Sequence, residues 1–319
     1  MNFKIDKFVV AIATTVLLAY IFPQFGSKSS PVNLNLLASI GVSLIFFFYG
    51  LKLSPEKVKV GLKNWKLHLL VQASTFLIFP IIVLLFLPFV HSEHNRSIWL
   101  AIFFLASLPS TVSSSVVMVS IAKGNIPAAI FNASISGLIG IVITPLWMGL
   151  FLNNSNSNFD LGEIYIKLLT EVLLPLILGL FLHRFFAKQA AKYNTYLSTF
   201  DKSVILLIIY KSFATSFDEN VFSSLEASNL VVIVICVILL FYFVYYFTGI
   251  VSNKLGFNRE DKITAQFCGT KKSLVHGTIF SKILFLNAAS IGIVLLPIML
   301  FHGFQIFIIS IIANKMARN

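Results

Sequence analysis

The sequence predicts an all-α membrane protein of ten transmembrane segments, set out as two inverted five-segment repeats whose fourth and ninth members are interrupted. Three observations carry that prediction. The 319-residue chain is 57% hydrophobic and only 11% charged, with a mean hydropathy of +0.90. Soluble globular domains hold roughly 45–50% apolar and roughly 25% charged residues. Its charge is sorted by loop, and two lipid-grade segments are broken by polar, helix-disfavouring sequence.

Apolar runs near the ~20 residues needed to cross a bilayer recur along the whole length, leaving no room for a soluble domain. Segments are expected near 8–23, 34–53, 66–90, 97–122, 126–152, 163–185, 201–216, 229–253, 259–285 and 289–313. The first follows Lys7 and lacks a small-residue cleavage site, so it reads as a retained helix. The stretch from Lys52 to Lys66 interleaves lysines with Val58, Val60, Leu62 and Trp65, a pattern suited to lying along a membrane surface. Cys236 and Cys268 have no metal-ligand or redox spacing.

The net charge of +12 follows topology. With the N-terminus inside, the cytoplasmic stretches hold most Lys and Arg, while the external ones hold Lys28, Arg96 and Lys282. That positive-inside bias puts both termini in the cytoplasm and argues against nucleic acid as a partner. Five segments fill residues 1–152, the polar linker Asn153 to Asp160 follows, and five more fill 163–319. An odd-numbered repeat must reverse its orientation in the membrane. A basic cytoplasmic loop over 254–288 would instead leave nine segments.

The fourth segment is broken at Leu108-Pro109-Ser110-Thr111-Val112-Ser113-Ser114-Ser115. Irregular polar backbone survives at membrane depth only where protein buries it or a water-filled cavity meets it. Proline frees carbonyls that a helix would otherwise consume, and Thr111, Ser113, Ser114 and Ser115 add hydroxyl oxygens of the kind hard cations prefer. A kink whose serines bond back to their own helix is the bland reading. Asn132 on the fifth segment is a buried amide that needs partners, while Ser134 and Ser136 read as close packing.

The ninth segment is broken at Gly269-Thr270-Lys271-Lys272-Ser273. A charge at the bilayer centre costs at least ~2.5 kcal/mol. Neighbouring residues on a helix diverge, so one lysine could grip an anion or stand in for a cation while the other snorkels or meets half-helix carbonyls. Lys167 and Glu171 are spaced to neutralise each other, and Lys211 is placed to snorkel. Broken segments in matching positions of two halves point to a binding site at the midplane of a secondary transporter. With no Gly-x-Ser-x-Gly elbow or Walker loop, an enzyme is not expected.

The run from Leu108 to Val117, with Ala122-Lys123-Gly124-Asn125, Phe131-Asn132-Ala133-Ser134 and Thr144-Pro145, resembles the bile acid:sodium symporter superfamily, most closely its SBF-like branch. Tyr49-Gly50-Leu51, Asn64-Trp65, Phe79-Pro80 and Lys271-Lys272-Ser273-Leu274 share the likeness. The resemblance implies crossed, discontinuous fourth and ninth helices, a panel domain (about 8–53 and 163–216) and a core domain (about 66–152 and 229–315). It also implies alternating access and a bacterial inner-membrane setting.

By the same resemblance, sodium is the one candidate cofactor, with Ser114, Ser115 and Asn132 as its ligands. Gln72 and Thr75 fall near a third-helix ligand. Phe267 and Lys271 stand where the family carries a ninth-helix carboxylate and amide, which counts against two-sodium bile acid uptake. The implied cargo is a small or amphipathic organic anion, held by Lys271 or Lys272 with Thr270 and Ser273 alongside, and membrane lipid is the other partner. The alternatives are a non-transporting membrane regulator on the same fold and an uncoupled or proton-linked carrier.

Overall fold

The computed structural model describes residues 7–26, 32–53, 64–111, 113–152, 161–220, 226–285 and 291–318. The basic stretch between Lys52 and Lys66 falls largely outside them, as does the linker 153–160. Among the described residues the chain is helical and holds no strand.

The helices are α1 (Lys7–Ile21), α2 (Leu34–Lys52), α3 (Trp65–Ala73), α4 (Phe79–Leu84), α5 (Glu93–Ser107), α6 (Ser113–Ile121) and α7 (Ile126–Leu152). They continue as α8 (Leu161–Leu168), α9 (Leu174–Lys192), α10 (Asn194–Asp218), α11 (Ala227–Lys254), α12 (Arg259–Gly269), α13 (Leu274–Leu284) and α14 (Ile291–Arg318). Wide π turns at Ser74–Ile78 and Leu169–Leu173 join α3 to α4 and α8 to α9. Six spans among the described residues are long and apolar enough to cross a membrane: Leu34–Lys52, Trp65–Phe89, Ile126–Leu152, Ile166–Lys192, Ala227–Lys254 and Ile291–Ala317. The protein is therefore an integral membrane protein, since so much apolar helix surface has a lipid solvent as its natural environment.

The chain divides into two compact units. The first comprises residues 1–54, 158–225 and 278–293, and the second 55–157, 226–277 and 294–319. In the first, α2 and α9 touch backbone to backbone. A Cβ at Gly50 would lie 2.3 Å from the Leu176 carbonyl oxygen, and one at Gly179 would lie 2.1 Å from that of Phe47. Small residues permit such approach between membrane helices.

Lys282 of α13 pairs with Glu171 at 3.0 Å and also donates to Ser39 Oγ. Spacing along the helix also sets Glu171 one turn from Lys167. The partner that lies across the unit comes from a helix more than a hundred residues away, which spacing along one helix could not reveal. Lys211 donates to Asn35 Oδ1 rather than simply snorkelling.

The second unit buries its helix ends against one another. Asp261, in the first turn of α12, accepts from Asn64 Nδ2 at 2.7 Å and Asn125 Nδ2 at 2.8 Å. Carboxylate acceptors in a first turn also suit the helix dipole. Aromatic rings of Trp99, Phe103, Trp147 and Phe151 fill the space between α5 and α7.

Candidate functional site

Both interruptions read from the sequence are present, and they touch. The chain leaves the helix from Leu108 to Thr111, ahead of α6, and again from Thr270 to Ser273 between α12 and α13. Ser273 donates its backbone N–H to Pro109 O at 2.8 Å, and Ser110 Oγ donates to Cys268 O at 2.7 Å. The second interruption is thus buried backbone inside the protein, not a solvated basic loop.

Proline and the end of α5 leave carbonyls without helical donors, and each finds another. Phe104 O accepts from Ser107 Oγ at 2.9 Å and Leu105 O from Leu108 N at 3.3 Å. Ala106 O accepts from Lys272 Nζ at 2.6 Å, and Ser107 O from Thr144 Oγ1 at 2.8 Å. Ser110 N, which a continuous helix would have given to Ala106 O, goes to Ser136 Oγ at 2.9 Å. Gly140 keeps α7 close, for a Cβ there would stand 2.8 Å from the Pro109 ring.

The two lysines are fully buried, and the unwound backbone lets them diverge. Lys272 Nζ donates to three carbonyls, Ala106, Leu108 at 2.8 Å and Thr75 at 2.7 Å, and sits 4.2 Å from the centre of the Phe79 ring. The Thr75 carbonyl is available for a local reason. Phe79 N–H bonds five residues back to Ser74 O, so the next bond in that register would need an N–H from Pro80, which has none. Lys271 Nζ reaches Ser114 O at 2.8 Å and Ser114 Oγ at 3.3 Å, at the start of α6.

The hydroxyls of Thr111, Ser114 and Ser115 form their own cluster, with Thr111 Oγ1 at 2.9 Å from Ser114 Oγ and 2.8 Å from Ser115 Oγ. Asn132 is fully buried, accepts from Gln72 Nε2 at 3.2 Å and donates to Ala128 O. Among the described residues its partners thus lie on α3 and its own helix, and it is Ser136 and Thr144, further along α7, that bond to the break. Thr270 Oγ1 bonds back to Gln266 O at 2.6 Å, and Thr75 Oγ1 to Val71 O at 2.8 Å, so neither hydroxyl reaches across. Ser273 Oγ meets His276 Nδ1 at 2.9 Å. Ser113 begins α6, but its side chain lies outside the described set.

Sequence reasoning missed Gln305. Its Oε1 accepts from Lys272 N at 2.9 Å and its Nε2 donates to Lys272 O at 2.8 Å, bracketing the broken backbone from α14. The signal was available: a lone amide inside an apolar membrane-length run needs a buried partner. Phe79, whose ring faces the ammonium, carried no comparable signal because it reads as one apolar residue among many.

Two touching helix interruptions with buried lysines, in a membrane protein whose described residues are helical, are the arrangement found in membrane transporters of the broken-helix type. The chain belongs to the SBF-like CPA transporter family, whose profile matches residues 6–318. It is 34% identical over 317 residues to a Pseudomonas aeruginosa protein, covering 99% of this chain and 94% of the other. It is 33% identical over 314 residues to "Putative symporter YfeH" of Escherichia coli, covering 98% and 93%. It is 31% identical over 312 residues to sodium/bile acid cotransporter 7 of Rattus norvegicus, covering 96% and 91%.

Proposed function

We propose that the chain is a secondary transporter of a small or amphipathic organic anion, working by alternating access at the touching breaks. On this reading it crosses a cell membrane ten times, as two inverted five-helix repeats with both termini cytoplasmic. The helix bounds and the relatives' names, symporter and sodium/bile acid cotransporter, support it.

The observation that carries the anion assignment is the setting of Lys271. Its ammonium stands at the start of α6, where the helix dipole is positive, and among the described residues its hydrogen bonds go to Ser114 alone. A cation there is short of negative charge. A carboxylate or sulfonate would supply it, bound by Lys271, the Thr111–Ser114–Ser115 hydroxyls and the first N–H groups of α6.

Sodium, the cation in the relatives' name, does not fit the residues expected to hold it. Ser114 O and Oγ face an ammonium, Ser115 Oγ is bonded to Thr111, and Asn132 Oδ1 faces the Gln72 amide. Sites for hard cations gather several oxygens around the ion, whereas these oxygens face donors from the chain. No step of the proposed mechanism runs through a metal ion.

The test is cysteine accessibility at Ser114, in a background with Cys236 and Cys268 replaced by alanine. A transporter should expose Ser114→Cys to a membrane-impermeant thiol reagent from each side in turn. Uptake of radiolabelled cholate into proteoliposomes should be lost in Lys271→Ala. Labelling from one side under every condition would mean a non-transporting membrane protein.

A further inference from the structure

The Lys272 ammonium is held as a bound cation would be. Three backbone carbonyls from two elements surround it at 2.6–2.8 Å, and the Phe79 ring covers another side at 4.2 Å. Each carbonyl is set free by a backbone feature: the π turn ahead of Pro80, the end of α5, and the Pro109 break. Carbonyls gathered at a helix C-terminus make a negative, oxygen-lined pocket, and an aromatic face adds attraction for a cation.

From this geometry we propose that Lys272 is a resident cation: its ammonium permanently fills a monovalent-cation pocket formed where the two breaks meet. The chain then needs no dissolved sodium at this junction. The argument is independent of the anion assignment to Lys271. Three acceptors match the three N–H donors of an ammonium, so Lys272 has no donor left for cargo. Gln305 pins the Lys272 backbone from the other side, fixing where the side chain starts.

The purified protein and its variants would be melted in sodium, potassium, choline and propylammonium chloride at equal ionic strength. A ligand that binds only the folded state raises its melting temperature. Wild type should melt alike in all four salts. Lys272→Ala, which empties the pocket and orphans its carbonyls, should melt lower by about 5 °C or more in choline. Sodium or propylammonium should restore at least half of that loss, because each can enter the space the side chain leaves.

A Lys272→Ala variant as stable as wild type in choline would overturn the proposal. So would failure of every cation to restore it, or a sodium-specific rise in wild type. Should the alanine variant not survive purification, Lys272→Met fills the stem volume without the charge. It should melt below wild type in every salt, and equal melting would overturn the proposal. None of these readouts uses cargo, so a failed cholate assay leaves them standing.

Discussion

Ser273 N donates to Pro109 O at 2.8 Å, so the backbone of the second helix interruption closes directly on that of the first. Neither break is a local defect, since each supplies the hydrogen-bond partner that the other lacks. In a lipid solvent that mutual satisfaction is what allows both to persist. Residues that hold the junction should therefore be as sensitive as the lysines themselves.

Gln305 is the clearest case. Gln305→Leu keeps the volume but orphans a buried N–H and a buried C=O of Lys272, an expected loss of about 3 kcal/mol. Thermal unfolding in detergent would read it, and a melting temperature equal to wild type would show that the bracket is dispensable.

Gly140→Ala places a methyl 2.8 Å from the Pro109 ring. Pushing α7 off the break should cost about 1–3 kcal/mol. Ser203→Ala, at an exposed position of α10, removes a hydroxyl bonded back to Thr199 O and should stay within about 0.5 kcal/mol. Similar losses in the two variants would contradict the close contact at Pro109.

In the first unit, Gly179→Ala meets the Phe47 carbonyl oxygen at 2.1 Å. Because that oxygen is backbone, the helices must separate, and the loss should reach the upper end of about 1–3 kcal/mol. Gly256→Ala is a contrasting control. Its Cβ meets nothing within 4 Å, but its φ is +70°, so only conformational strain of about 1 kcal/mol is expected. Protease resistance and melting would rank the two.

Lys282 and Glu171 are 12% and 19% exposed and 3.0 Å apart. A double-mutant cycle with Lys282→Ala and Glu171→Ala should give a coupling of about 1–3 kcal/mol, above the ~0.2–1 kcal/mol of exposed pairs. A coupling near zero would make the pair incidental.

Much of this architecture is legible in the chain. Apolar length sets the helices, as at Ala227–Lys254, and Pro109 and Gly269 mark where two of them stop. The buried lysine pair is legible as a problem that needs an answer. The answer itself is not, because a hydrogen bond from residue 272 to carbonyls at 75, 106 and 108 is no property of local spacing. Asn132 shows the same limit: the sequence asks for a partner, and the fold supplies Gln72 rather than the break.

By itself, then, the sequence determined a membrane-embedded helical chain with two polar interruptions, because hydropathy and helix-breaking residues act locally and need no knowledge of neighbours. Only the tertiary structure decided that Lys272 fills a carbonyl pocket while Lys271 stands at a helix start. It likewise decided that Gln305 brackets the junction and that Glu171 meets Lys282. In each case the deciding quantity is the position of one element's unsatisfied backbone or side chain against another's, which distance along the chain does not encode.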